Sequence, residues 1–564
     1  MRKLGWIACV VGLAMIFAAP GGAQAATESL VTVGSPITPF PQNKQNEPAV
    51  AVDPSNPSVV AAGVNEEIDE PPCDGSDCPF AQGIGNSGVY FSFNGGAQWI
   101  QPTYQGFSGR DGTLGPGPIG TLPHYDENGL VSDGDPGVVF GPRPGSNGQF
   151  SWSNGSRLYY SNLTSNFSTV KREFTFKGFE AIAVSHADDL QAAAGNDAGA
   201  WDDPVIVTQG RQSTTTFSDK PDMNADNAAS SPFFGNLYVC YTQFKSQQAN
   251  GPAPIAVSRS TDGGDTFSRP QTLSPSHNNV GAGGRQGCNV ATDSHGKVYV
   301  VWEDTVKHHS AMLLSTSTDG GRKFSRARVV AQVTDVGIFD GVRSISFDGI
   351  AGARTSSFPS LSIANGAPSG AGAPNTIALG WSDGADGLNH EHALVQLSSD
   401  GGAGWTAPAA VEQSGDRPDF AFLGISPDGS DLYVVYDGFL DPFRDNTTDT
   451  RQFEGVLRHA DVSGTSLSNV TTLDRGPVGD ARASSANTLI DEFIGDYNTV
   501  DATNGGAVSV FNDASNAGVC DEMNAFRQAT VDGTAGAPPT PGDDCPDTFG
   551  NTDIWAAVAA DPSP

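Results

Sequence analysis

One eight-residue phrase constrains the fold of this chain more than any other. Ser260-Thr261-Asp262-Gly263-Gly264-Asp265-Thr266-Phe267 returns at 317–324, 398–405 and 92–99, with the shared pattern Ser-x-Asp/Asn-x-Gly-x-x-Phe/Trp. Each copy follows a short apolar run such as Ala311 to Ser315 and leads into another. Asp-Gly-Gly between two strands predicts a tight hairpin, because glycine accepts positive φ and Asp bonds the turn amides. A lone hairpin is too small to be stable, so repeated hairpins imply repeated sheets packed on one another.

Two further signals recur around these boxes. The first is a short strand often opened by proline, as in Glu47-Pro48, Asp135-Pro136, Lys220-Pro221, Phe358-Pro359 and Arg417-Pro418. Proline is tolerated at a strand's first residue and not in its middle. The second is an aromatic, β-branched strand, as at 235–241, 296–302 and 431–436. A proline-led strand, an aromatic strand and a boxed strand pair make four antiparallel strands, the blade of a propeller. First strands place units near 47, 135, 219, 286, 357, 417 and 490. Seven units are counted and six remains open, because the second and last are weak. The second unit is expected to carry a decayed box around Ser185 to Trp201. The fold class is all-β, in one domain spanning 26–564. The Gly- and Pro-rich 111–121 and 534–542 are expected as loops.

Residues 1–25 are set aside as a secretory signal: Arg2 and Lys3, an apolar run from Leu4 to Ala19, then Ala23-Gln24-Ala25. The expected location is extracellular. A net charge of −33 argues against nucleic acid and anionic membranes as partners. Beyond Cys9 there are six cysteines, and disulfides are expected at 73–78, 240–288 and 520–545 from proximity and repeat position. No cofactor or metal is expected, with calcium left open at the acidic Asp69-Glu70 and Asp74 to Asp77. His390-Glu391-His392 sets two rings on one side of a strand, but solvated loop histidines are the simpler reading.

The boxes resemble the Asp boxes of the sialidase superfamily. In that family they lie at outer hairpin turns, so Asp262, Asp319 and Asp400 are read as scaffold, not as catalysts. The substrate face is the other one, where loops lead into first strands and out of second strands. Those loops carry Glu47, Asp135, Asp219, Arg285, Arg354, Arg417 and Arg482 among others. The resemblance implies a carboxylate clamp of three arginines, with Arg285, Arg354 and Arg417 as candidates. It further implies a tyrosine nucleophile, Tyr497, with Glu492 as its base and Asp135 as acid/base. The family's first-blade Arg-Ile-Pro is replaced here by Asn46-Glu47-Pro48, a carboxylate where a cation is expected. Two classes therefore stand. One is a sialidase-like glycoside hydrolase on terminal acidic sugars; the other is a propeller that binds glycans or glycoproteins without turnover, in either case as a monomer.

Overall fold

A computed structural model describes residues 26–208, 215–245, 252–274, 286–342 and 345–562. Residues 1–25, expected to be a secretory signal, and Arg285 lie outside them. Seven antiparallel sheets surround an axis, and each contributes its first strand to the centre. These inner strands are Gln45–Val52, Gly137–Pro142, Phe217–Ala225, Gln286–Thr292, Ser360–Ile363, Arg417–Ile425 and Thr499–Thr503. The count is seven, and the last inner strand starts at 499, nine residues beyond its expected place. Blade 1 has three full strands, with Ile100 bridging Phe91 at the position of the fourth. Blade 7 is closed by the N-terminal strand Thr27–Leu30, which pairs with Asp553–Ala560. The first and last parts of the described chain thereby share a sheet, which removes an open edge from the ring.

Within a blade the first strand starts where the second ends, as Gln45 opposite Glu66 and Arg417 opposite Phe439 show. Loops into first strands and out of second strands therefore share one face, here the mouth, and the boxes lie at the other. Buried apolar side chains fill the gaps between blades: Tyr159, Val184, Val239 and Tyr241 between blades 2 and 3, and Tyr299, Leu314, Leu379 and Trp381 between blades 4 and 5.

The boxes share one geometry. Ser317 Oγ donates to Asp319 Oδ1 at 2.8 Å and accepts the Gly321 amide at 3.0 Å, while Asp319 Oδ1 accepts the Lys323 amide at 2.9 Å. Ser260 and Asp262, and Ser398 and Asp400, repeat it. Both glycines have positive φ, 70° and 72° at Gly320 and Gly321. The second is also a contact between blades, since a Cβ on Gly321 would stand 2.8 Å from the Tyr238 ring. The second blade carries no box between Ser185 and Trp201, but a short helix, Leu190–Ala194, and a turn.

Three disulfides join Cys73 to Cys78, Cys240 to Cys288 and Cys520 to Cys545. The middle one ties blade 3 to blade 4. Part of 111–121, expected as loop, forms the strand Gly115–Ile119, paired with Tyr104–Ser108. A helix, Asp521–Val531, was not legible from periodicity. Its fully buried Arg527 donates to the carbonyls of Arg482, Ser484 and Asp491, and so pins the loop that leads into blade 7. No helix among the described residues is long and apolar enough to cross a membrane.

Candidate functional site

At the mouth, four inner strands carry a residue in the left-handed region, Glu47 (φ 56°), Lys220 (55°), Gly287 (58°) and Phe420 (48°), and Asp135 (50°) does so two residues before the inner strand of blade 2. Register shifts mark the same level in four blades. Such bulges re-aim side chains, and a positive φ outside glycine persists only where the surroundings enforce it. These positions gather Glu47, Asp135, Asp219 and Lys220 from blades 1 to 3 against Arg354, Asp496 and Tyr497 from the loops leading into blades 5 and 7.

Asp496 is the anionic hub. Lys220 Nζ lies 2.6 Å from its Oδ2, and Arg354 Nε donates to its Oδ1 at 2.7 Å. Burial opposes its charge, but Arg354 and Lys220 outweigh this and hold the carboxyl well below the usual range. Asp135 is the second anion. Burial would raise its pKa, yet Lys220, with hydrogen bonds to Glu47 and Asp219, lowers it. Tyr497 donates to Asp135 Oδ2 at 3.0 Å. Burial raises the phenol's pKa well above its ordinary value, and Asp135 adds to the rise.

The other two carboxyls move the opposite way. Burial, then the charges of Asp135 and Asp496, push Glu47 well up, and burial lifts Asp219 to about 7 against the pull of Lys220. Glu47 is 1% exposed and receives Asn65 Nδ2 at 2.7 Å. Asp219, Tyr497 and Arg354 are only half-buried and form the accessible rim of the cluster. Phe358 stacks on Tyr497 with centroids 6.3 Å apart, Phe422 meets it edge-on, and Phe493 lies under the Arg354 guanidinium. Behind the cluster an axial cavity of about 660 Å³ is lined by the inner strands, with Lys220, Phe358 and Tyr497 in its wall.

The expected site residues are thus partly gathered. Tyr497, Asp135 and Arg354 meet in one cluster. Glu492 does not serve Tyr497: it is fully buried with Arg451 Nη1 at 2.8 Å, and the phenol's carboxylate partner is Asp135 instead. Arg417 is not part of a clamp with Arg354. It is 5% exposed, its Nε and Nη2 donate to Glu391 at 2.9 and 3.0 Å, and its guanidinium also donates to the carbonyls of Asp441 and Phe347. Arg354 binds Asp496 and Glu47, so the two arginines answer to different acids. Of the calcium candidates, Asp69 pairs with Arg110 at 2.7 Å and Glu70 accepts the Ala81 amide. His392 sits between Asp386 and Glu412.

Lys220 and Asp496 were not singled out from sequence. Lys220-Pro221 stands in the phase of Glu47-Pro48 and Asp135-Pro136, and Asp496 directly precedes Tyr497. That phase was the available signal.

No family model matches the chain, and no curated protein matches it. Among solved structures it is similar to the Hadza microbial sialidase Hz136, with a TM-score of 0.39 and 13% identity over 70% of this chain and 63% of that one. It is similar to a Trypanosoma rangeli sialidase in complex with the inhibitor DANA, with a TM-score of 0.39 and 12% identity over 73% of this chain and 54% of that one. The α-L-arabinofuranosidase Arb93A from Fusarium graminearum is matched at a TM-score of 0.37 and 12% identity, over 74% of this chain and 94% of that one. The chain spans less than two thirds of the length of those two sialidases. The likeness is one of propeller fold and carries no argument about activity.

Proposed function

We propose that the chain is a sialidase-like glycoside hydrolase working at the mouth cluster. The observation that carries this reading is the Tyr497 hydroxyl on the ionised Asp135, beside a second carboxyl, Asp219, whose pKa lies near 7. Neighbouring acids whose environments push their pKa values apart are suited to divided acid and base roles. In this scheme the Tyr497 oxygen attacks the anomeric carbon and gives its proton to Asp135. Asp219 protonates the departing oxygen, then takes a proton from the water that releases the sugar. Lys220 keeps Asp135 charged, and Arg354 is the guanidinium placed to meet an anionic group of a terminal acidic sugar.

A second reading, a glycan-binding propeller without turnover, is favoured by one observation. Arg354 and Lys220 are already paired with Asp496, and Arg417 is committed to Glu391. Release of a fluorescent phenol separates the two readings, using a panel of sialic-acid and neutral-sugar glycosides. Turnover lost in Tyr497→Phe and Asp135→Asn supports the hydrolase. Saturable glycan binding without turnover of any substrate supports the second reading. An exported protein fits the signal-like segment and the three disulfides.

A further inference from the structure

On the box side, three successive blade junctions carry a permanent cation beside an aromatic-strand tyrosine. Arg157, two residues before Tyr159, donates to the Gly263 carbonyl of the next blade at 2.7 Å. Arg259, directly across the strand pair from Tyr238, donates to Gly320 at 2.6 Å. Lys297, two residues before Tyr299, donates to Gly401 at 2.8 Å and lies over that ring. Each cation therefore meets the first glycine carbonyl of the following box.

The junction between blades 6 and 7 has the same frame and the opposite charge. Asp431 stands two residues before Tyr433, where Arg157 and Lys297 stand in their blades. His459 lies across from Tyr433, as Arg259 does from Tyr238. Blade 7 has no box here, because its third strand runs to Ala560 and its fourth is the N-terminal strand. Asp561 follows at that end, its amide held by the Gly505 carbonyl.

We propose that this junction binds a divalent transition cation, which takes the place of the missing arginine or lysine and joins blade 6 to blade 7. One ligand atom each from Asp431, His459 and Asp561 lies within 4.8 Å of the others. His459 Nε2 is 2.9 Å from Asp431 Oδ1 and 3.9 Å from Asp461 Oδ1. Asp431 and Asp461 are direct cross-strand partners, a pairing of like charges that destabilises a sheet unless a cation lies between them. Their other oxygens are engaged locally, by Ser430 and Asn469.

A second, independent observation points to the same place. Tyr433 is fully buried, and its hydroxyl has no hydrogen-bond partner. Two of its counterparts are satisfied, Tyr238 by Asn236 and Tyr299 by Asp293, while Tyr159 is unpartnered too but stands beside the cation Arg157. One imidazole with carboxylate oxygens suits zinc or manganese better than magnesium or calcium.

The test uses the full chain, stripped with EDTA and titrated with Zn²⁺ or with Mn²⁺. One equivalent of at least one ion is expected to bind, and to raise the unfolding temperature. Asp561→Asn and His459→Gln are each expected to weaken binding at least about tenfold and to remove the thermal shift. Asp319→Ala, on the box of blade 4, should leave binding unchanged. If His459→Gln does not fold, the half-buried Asp561 alone decides. No saturable binding of either ion, or binding that survives Asp561→Asn, overturns the proposal.

Discussion

At the box side of blades 3, 4 and 5, each hairpin meets the preceding blade through the same parts: a serine-capped Asp turn, a glycine against the neighbouring blade, and a cation on the first glycine carbonyl. At the mouth nothing repeats in that way. Glu47, Asp135 and Lys220 share a left-handed backbone at matching positions, yet their side chains differ in charge and bond to residues from distant blades. Repetition solves one local problem many times, whereas the mouth uses equivalent backbone positions to assemble one asymmetric cluster. On the proposed function the chemistry lies at the mouth, while the boxes hold individual blades together.

The largest expected effect separates these two ends. Asp496→Ala leaves Lys220 and Arg354 without their shared anion, and removing one side of a buried ion pair costs about 3–5 kcal/mol. Denaturant unfolding checks it; a loss below about 1 kcal/mol would mean that the cluster does not hold the mouth together. Removing the Cys240–Cys288 link by double alanine substitution is next, at about 2–4 kcal/mol, because it joins blades 3 and 4 away from both ends. Gly321→Ala should cost about 1–3 kcal/mol, since the new methyl meets the Tyr238 ring and the backbone is left-handed. Asp319→Ala, which loses only turn hydrogen bonds, should cost about 1 kcal/mol. Both box variants should keep any turnover per folded molecule.

A pH series sharpens the comparison at smaller effect. Burial lifts Asp219 and Asp133 to about 7 and Asp437 to about 8, while an unfolded Asp titrates near its ordinary value. Between about pH 4 and pH 8 the native state therefore holds more protons than the unfolded one, and stability falls as pH rises through this window. The unfolding temperature should be higher at pH 5 than at pH 8. Asp496 does not oppose this, because its depressed pKa contributes stability throughout the window and loses it only in stronger acid.

Much of the scaffold was legible because it is written locally. Ser-x-Asp-x-Gly sets its own turn, and Pro48, Pro136 and Pro221 mark inner strands without reference to anything remote. Pro48 and Pro221 sit at bulges inside their strands and Pro136 just ahead of its own, not at a first residue as expected. The site was legible only as a set of mouth positions. Whether Arg417 meets Arg354 or Glu391 depends on the path of the chain through 384–391, and no local pattern encodes that. Glu492 and Asp135 were equally plausible partners for Tyr497 by residue type. Sequence nearness favoured Glu492, but buried Arg451 claims it, and the left-handed backbone at Asp135 places a residue 362 positions away against the phenol. The helix Asp521–Val531 escaped notice because its buried residues are Met523, Asn524 and Arg527, which form no apolar stripe.

The most direct test is phenol release from a sialic-acid glycoside by four proteins side by side: the unaltered chain, Tyr497→Phe, Asp135→Asn and Asp319→Ala. The account predicts turnover by the unaltered chain. It predicts a fall of at least about a hundredfold in each mouth variant, as for loss of a positioned acid–base group. It predicts an unchanged rate per folded molecule in the box variant. Tyr497→Phe and Asp135→Asn turning over at the rate of the unaltered chain, while remaining folded, would contradict it.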